Sequence, residues 1–113
     1  MIKQTYQVVV AQSGKQDIKD MKKYIIETFK YRELGENFSK KIKKAAKSLD
    51  TFPVGYESTG FIYRGYEIYV KLSDTYLLFY TVDHERRIVT ILRVMKDGMN
   101  WKFILKQWLT NCR

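Results

Sequence analysis

Few residues in this chain of 113 are suited to covalent or acid–base catalysis. The one histidine, His84, sits in the polar run Asp83-His84-Glu85-Arg86, and the one cysteine, Cys112, is the penultimate residue. Neither a Ser/His/Asp nor a Cys/His constellation can be assembled from them. There is no His/Cys cluster with metal-ligand spacing, no glycine-rich phosphate loop after a strand, and no pair of carboxylates at a spacing that would unite them. No metal or cofactor is therefore expected. What remains is lysine, arginine and tyrosine. If the chain is an enzyme, these must do the work, and the task they suit is metal-independent RNA cleavage, in which basic groups stabilise charge on the phosphate.

Such side chains need a scaffold, and its centre lies between Tyr76 and Leu109. Tyr76-Leu77-Leu78-Phe79-Tyr80-Thr81-Val82 is a nearly unbroken apolar and β-branched run, which implies a strand covered on both faces. After the Asp83–Arg86 turn, Ile88-Val89-Thr90-Ile91-Leu92-Arg93-Val94-Met95 gives a second apolar strand with a single charge, Arg93, near its end. Beyond Lys96-Asp97-Gly98 the period changes. Trp101, Ile104, Leu105, Trp108 and Leu109 fall on one helical stripe, so both tryptophans read first as packing residues.

The upstream half supplies the rest. Tyr6–Val10 is β-rich and predicts a first strand. Ser13-Gly14-Lys15-Gln16 has the form of a capping box, and Ile18, Met21, Ile25 and Phe29 predict a helix from about Lys15 to Tyr31. Gly35 predicts a break or tight turn. Phe38, Ile42, Ala45 and Leu49 then give a second helix ending before Phe52-Pro53, antiparallel to the first. After loop chemistry from Pro53 to Gly60, Phe61 to Leu72 predicts one strand kinked at Gly65, with Tyr66, Ile68, Val70 and Leu72 turned onto the helical hairpin. The architecture expected is α+β in a single domain spanning residues 1–113: N-terminal strand, two-helix hairpin, three-stranded antiparallel meander and short C-terminal helix.

Lysine and arginine number 21 against 12 acids, a net charge of +9. That favours an anionic partner, whether nucleic acid, an acidic protein surface or an acidic inhibitor. Lys40, Lys41, Lys43, Lys44 and Lys47 fill the positions between the apolar ones of the second helix, where a solvated face and a nucleic-acid strip are the two readings. No run approaches the roughly 20 apolar residues of a membrane span, and Met1-Ile2-Lys3-Gln4 opens no signal peptide, so a reduced, cytoplasmic setting is expected.

The order of these elements resembles the RelE/ParE family of toxins from bacterial type II toxin–antitoxin systems. The likeness is carried by Leu49-Asp50-Thr51-Phe52-Pro53-Val54-Gly55 after the hairpin, Tyr76–Tyr80 on the central strand and Ile91-Leu92-Arg93-Val94-Met95 on the last. Leu92–Trp101 is closest to the ParE branch. The resemblance implies a growth-arresting toxin neutralised by a cognate antitoxin in a hetero-oligomeric complex. RelE-like members cut mRNA on the ribosome, whereas ParE-like members block DNA gyrase. Where RelE-like nucleases carry lysines and arginines, this chain aligns Glu67, Tyr69, Leu77 and Asp97, which removes positive charge from the place a scissile phosphate would occupy. A gyrase inhibitor is therefore the first reading, a ribosome-dependent mRNA interferase the second, and an inactive antitoxin-binding homologue the third.

The residues left to contact a target near the meander are Arg64, Tyr69, Lys71, Arg93, Lys96 and Trp101. Arg93 has a structural alternative, pairing with Glu67 or another carboxylate at the end of the sheet. The final helix is expected to be too short to cover its face of the sheet, leaving an apolar groove for the antitoxin as a docked helix or an added strand.

Overall fold

The computed structural model describes residues 5–51, 53 and 56–111. Part of the expected loop motif (Phe52, Val54, Gly55), the opening residues 1–4 and the lone cysteine Cys112 lie outside these. The architecture is α+β as expected. Strand β1 (Gln7–Val10) leads into helices α1 (Gln12–Phe29) and α2 (Arg32–Lys47), then strands β2 (Glu57–Tyr63), β3 (Tyr66–Ser73), β4 (Tyr76–Asp83) and β5 (Ile88–Lys96), and helix α3 (Trp101–Asn111). The five strands form one sheet in the order β1-β5-β4-β3-β2, antiparallel throughout except that β1 lies parallel to β5. Among the described residues no helix is long and apolar enough to cross a membrane.

Strand β4 is the centre the sequence implied, with every residue from Leu77 to Val82 buried. Its two faces feed separate cores. Leu78, Tyr80 and Val82 pack with Val89, Ile91 and Val94 beneath Phe38, Ile42, Ala45 and Leu49 of the helical hairpin. Leu77 and Phe79 pack with Ile68, Leu92, Met95 and Leu105 on the opposite side. That second face is not left open, contrary to the sequence expectation. Helix α3 covers it by means of broad aromatic residues: Trp101 lies against Phe79 with centroids 5.4 Å apart, and Trp108 stacks on Tyr63 at 5.3 Å. Two indoles extend the reach of a helix of only 11 residues.

Four local expectations are corrected. The stretch from Phe61 to Leu72 is a hairpin rather than one kinked strand, because Arg64 and Gly65 both have positive φ (51° and 86°), the geometry of a two-residue turn. The meander therefore has four strands. Its register, Tyr69 opposite Tyr80 and Val70 opposite Phe79, places Ile68 and Val70 on the α3 side and Tyr69 on the hairpin side, while Tyr66 and Leu72 are exposed. Residues directly opposite share a face, so the pairing overrode the assignment made from one strand. Ser13 forms no capping box, since α1 starts at Gln12 and the Ser13 hydroxyl bonds elsewhere. Gly35 is buried inside α2, where a β-carbon would lie 2.6 Å from Ile26 Cγ1. It is there for the closeness of the two helices, and Lys30, in the left-handed region, makes the turn between them.

Candidate functional site

Strand β1 pairs with β5 only as far as Ile91, and among the described residues β5 runs on to Lys96 with no strand on that side. An edge so exposed must satisfy its backbone groups or leave them to a partner. The start of α1 supplies substitutes. Ala11 N–H donates to the Ile91 carbonyl (2.9 Å), the Ser13 hydroxyl to the Leu92 carbonyl (2.7 Å), and Val94 N–H to Asp17 Oδ2 (2.9 Å). Asp17 also receives both prongs of Arg93, Nε to Oδ2 at 2.7 Å and Nη2 to Oδ1 at 3.0 Å. The Arg93 guanidinium lies 5.5 Å from the Trp108 ring centroid, so one side chain ties α1, β5 and α3 together. Gly14 allows the approach, because a β-carbon there would meet the Ile91 carbonyl and Val10 at 3.0 Å.

Past Asp17 the substitution stops. Asp97 N–H bonds the Thr75 carbonyl, which fixes the alternation so that the backbone groups of Val94 and Lys96 point away from β4. Val94 N–H is taken by Asp17 and the Lys96 carbonyl by Met99 N–H (3.3 Å). Among the described residues this leaves the Val94 carbonyl and the Lys96 N–H facing a groove of about 430 Å³. Met21, Tyr24, Ile25 and Phe29 of α1 form one wall, Met99 and Ile104 the other, and Asp17, Asp20, Arg93 and Lys96 contribute the charged groups. A second hollow of about 630 Å³ shares Ile25, Phe29, Tyr76 and Lys96 and continues the trench to Leu34 and Phe38 under the tip of the hairpin. The tip itself exposes Tyr24 (65%), Phe29 (57%) and Tyr31 (65%), more apolar surface than a solvated helix end requires.

The structure does not gather the six candidate residues into one surface. Arg93 and Lys96 share the groove. Tyr69 and Lys71 lie on β3 facing α2, where the Lys71 ammonium bonds the Ser48 hydroxyl and the Ala45 carbonyl (3.4 Å), and so terminates α2. Tyr69 stacks on Tyr80 at 5.8 Å and donates to Glu67 Oε2 at 3.1 Å. Burial, and then the neighbouring Glu67 carboxylate, hold its phenol above the ordinary value. Tyr80 is raised further, chiefly by burial, with its hydroxyl donating to the Pro53 carbonyl at 2.8 Å. Neither phenol is poised to lose a proton near neutrality. Arg64 occupies the β2–β3 turn, its guanidinium 5.1 Å from the Tyr63 ring, and Trp101 is committed to Phe79.

Of the positions where the alignment put uncharged or acidic residues, Leu77 is buried beneath α3 and Glu67 is bonded by Ser58 and Tyr69. Asp17 escaped the sequence reading. Its signal was there to be used: it falls three residues after Gly14 and one before Ile18, on the inward side of α1, and an acid on a buried stripe calls for a cation such as Arg93, set within the apolar run of β5.

A model of the ParE toxin of type II toxin–antitoxin systems, parDE, matches residues 8–101. No curated protein sequence matches the chain. Among solved structures, the chain is similar to one in the chromosomal ParDE toxin–antitoxin system of P. aeruginosa, at 10% identity over 82% of this chain and 97% of that one, with a TM-score of 0.67. It is also similar to one in the toxin–antitoxin complex RelBE2 of Mycobacterium tuberculosis, at 19% identity over 84% and 94%, with a TM-score of 0.57.

Proposed function

The chain belongs to the ParE toxin family of type II toxin–antitoxin systems, and from that premise we propose that it arrests growth by binding and blocking DNA gyrase, and is silenced by an antitoxin segment seated in the trench between α1 and α3. The observation that carries the first half is the Asp17–Arg93 pair. The arginine best placed on the last strand to meet a scissile phosphate is held by a carboxylate in a two-pronged bond, and its side chain is only 17% exposed. To serve a phosphate it would have to abandon that partner and leave Asp17 uncompensated. The positions that align with a nuclease's cations hold Leu77, which is buried, and Glu67, which is acidic and lies on the other face of the sheet with Tyr69. A chain so equipped acts by occupying a protein surface rather than by breaking a phosphodiester.

The trench supports the second half. Its walls are apolar, and its floor is a strand edge with one acceptor and one donor available, a combination that suits an added strand or a short helix with apolar anchors. An acidic antitoxin would also be drawn to a surface of net charge +9.

The discriminating experiment is paired. Purified toxin is added to a gyrase supercoiling assay and, separately, to translating ribosomes with primer extension on the message. Stalled supercoiling with intact mRNA is the expected result; cleavage within the message and unaffected gyrase would replace this reading with the mRNA interferase.

A further inference from the structure

Helix α2 presents a surface that the sheet does not use and that meets the trench only at Lys40 and Lys41, which line its far hollow. From Asn37 to Leu49 the chain carries five lysines and no acid. Every apolar side chain of that segment, Phe38, Ile42, Ala45, Ala46 and Leu49, is buried against the sheet, and Lys40, Lys43, Lys44 and Lys47 are all exposed. Lys41 has a partner, Asp74, at 3.5 Å. Among the described residues, none of the other four has a carboxylate within salt-bridge distance. Lys40, Lys44 and Lys47 form one row along the helix, spaced at roughly 6 and 4.5 Å by the helical rise, and Lys43 adds a second row. The row borders a concavity of about 470 Å³ between α2 and β3, to which Lys41, Lys44 and Lys71 bring ammonium groups, Ser48 and Ser73 bring hydroxyls, and Asp74 brings the carboxylate that pairs with Lys41.

Lysine near a helix C-terminus is favoured by the helix dipole, which accounts for Lys44 and Lys47 but not for Lys40 and Lys43. A protein interface needs an apolar centre, and this face has none; what it offers is unpaired cations in regular array. That suits a ligand of uniform negative charge. We propose that the exposed face of α2 from Lys40 to Lys47, with the Lys71 concavity beside it, binds the sugar–phosphate backbone of nucleic acid without reading its sequence. This goes beyond the gyrase reading and stands without it, since Lys43, Lys44 and Lys47 lie outside the trench and only Lys40 of the four reaches its far hollow. It holds the toxin near a nucleic-acid-bound target and raises its local concentration there.

The test is fluorescence anisotropy of the full chain with a 20-base-pair DNA duplex and, in a parallel arm, a single-stranded RNA of the same length, across a salt series. Four phosphate contacts predict a log–log slope of about −3.6 on the duplex, or roughly a hundredfold loss of affinity between 50 and 200 mM salt. The variant Lys40→Gln/Lys43→Gln/Lys44→Gln/Lys47→Gln should flatten that slope towards zero while retaining the wild-type melting temperature, since glutamine keeps helix propensity and the sites are exposed. The arm that binds more tightly identifies DNA or RNA as the source of the backbone. Wild-type chain that fails to bind either at 50 mM salt, or a variant with unchanged slope, overturns the proposal. So does displacement of the duplex by polyglutamate at equal charge concentration, which would assign the face to acidic protein.

Discussion

Asp17 and Arg93, separated by 76 positions in the chain, meet in a two-pronged ion pair at 2.7 and 3.0 Å, and Asp17 accepts the Val94 N–H as well. The carboxylate thus completes the edge of β5 and neutralises the charge set within the apolar run of that strand. Side-chain exposures of 16% and 17% put the pair among those that are costly to break from one side.

Removing either partner leaves the other charge poorly solvated. Asp17→Ala and Arg93→Ala should each lower the free energy of unfolding by about 2–3 kcal/mol, and the double variant by less than their sum. Urea denaturation of the four proteins measures this. An Arg93→Ala protein with the wild-type midpoint would show that the contact contributes nothing to the fold.

Phe29 and Met99 line the trench and are 57% and 46% exposed, so changing them should spare stability. Phe29→Asp and Met99→Asp should each weaken antitoxin binding at least tenfold, the consequence of roughly 1.4 kcal/mol or more lost where an apolar anchor is replaced by a charge. Titration calorimetry against the cognate antitoxin tests it, and unchanged affinity in both variants would place the antitoxin elsewhere.

Gly35 has no room for a methyl group, with Ile26 Cγ1 and Cδ1 at 2.6 and 2.7 Å from where a β-carbon would stand. Gly35→Ala should destabilise by about 1–3 kcal/mol through overpacking, although alanine is the better helix former, and adding Ile26→Ala should recover part of the loss. Thermal melts of the two variants decide it; a Gly35→Ala protein that melts higher would mean the helices part without cost.

Asp83 caps its own turn, accepting the N–H groups of Glu85 and Arg86 at 3.1 Å each, and the Tyr66 hydroxyl donates to it at 3.1 Å. The Arg86 N–H first, with the Tyr66 hydroxyl and the Glu85 N–H adding to it, holds its carboxyl below the ordinary 3.8, whereas the hydrogen bond to Asp83 raises the Tyr66 phenol. A depressed folded pKa favours the folded state above pH about 4, and the advantage disappears as the pH falls through the lower folded value. Acidification should therefore loosen the β4–β5 turn, and Asp83→Asn should remove that dependence. Amide exchange at Glu85 and Arg86 followed from pH 6 to pH 2.5 reads it directly; identical profiles in the two proteins would contradict the assignment.

Where the apolar pattern was dense, local chemistry was enough. The run from Tyr76 to Val82 could only be a doubly covered strand, and the Trp101 to Leu109 stripe only a helix, because burial on two faces or one imposes that periodicity whatever the neighbours are. The paucity of catalytic residues, the excess of lysine and the family resemblance were equally plain from residue types in order. Other features depended on contacts between distant parts of the chain. Gly35 looked like a turn because glycine's tolerance of positive φ and its lack of a side chain leave the same mark in a sequence. Which face of β3 met the helices was set by its register with β4, and whether α3 could roof the sheet by how far two indoles reach across it. Above all, the role of Arg93 was undecidable in one dimension. Its charge was visible at once, but a charge acquires its function from what stands opposite, and Asp17 is brought there only when α1 folds over the edge that β1 leaves unpaired.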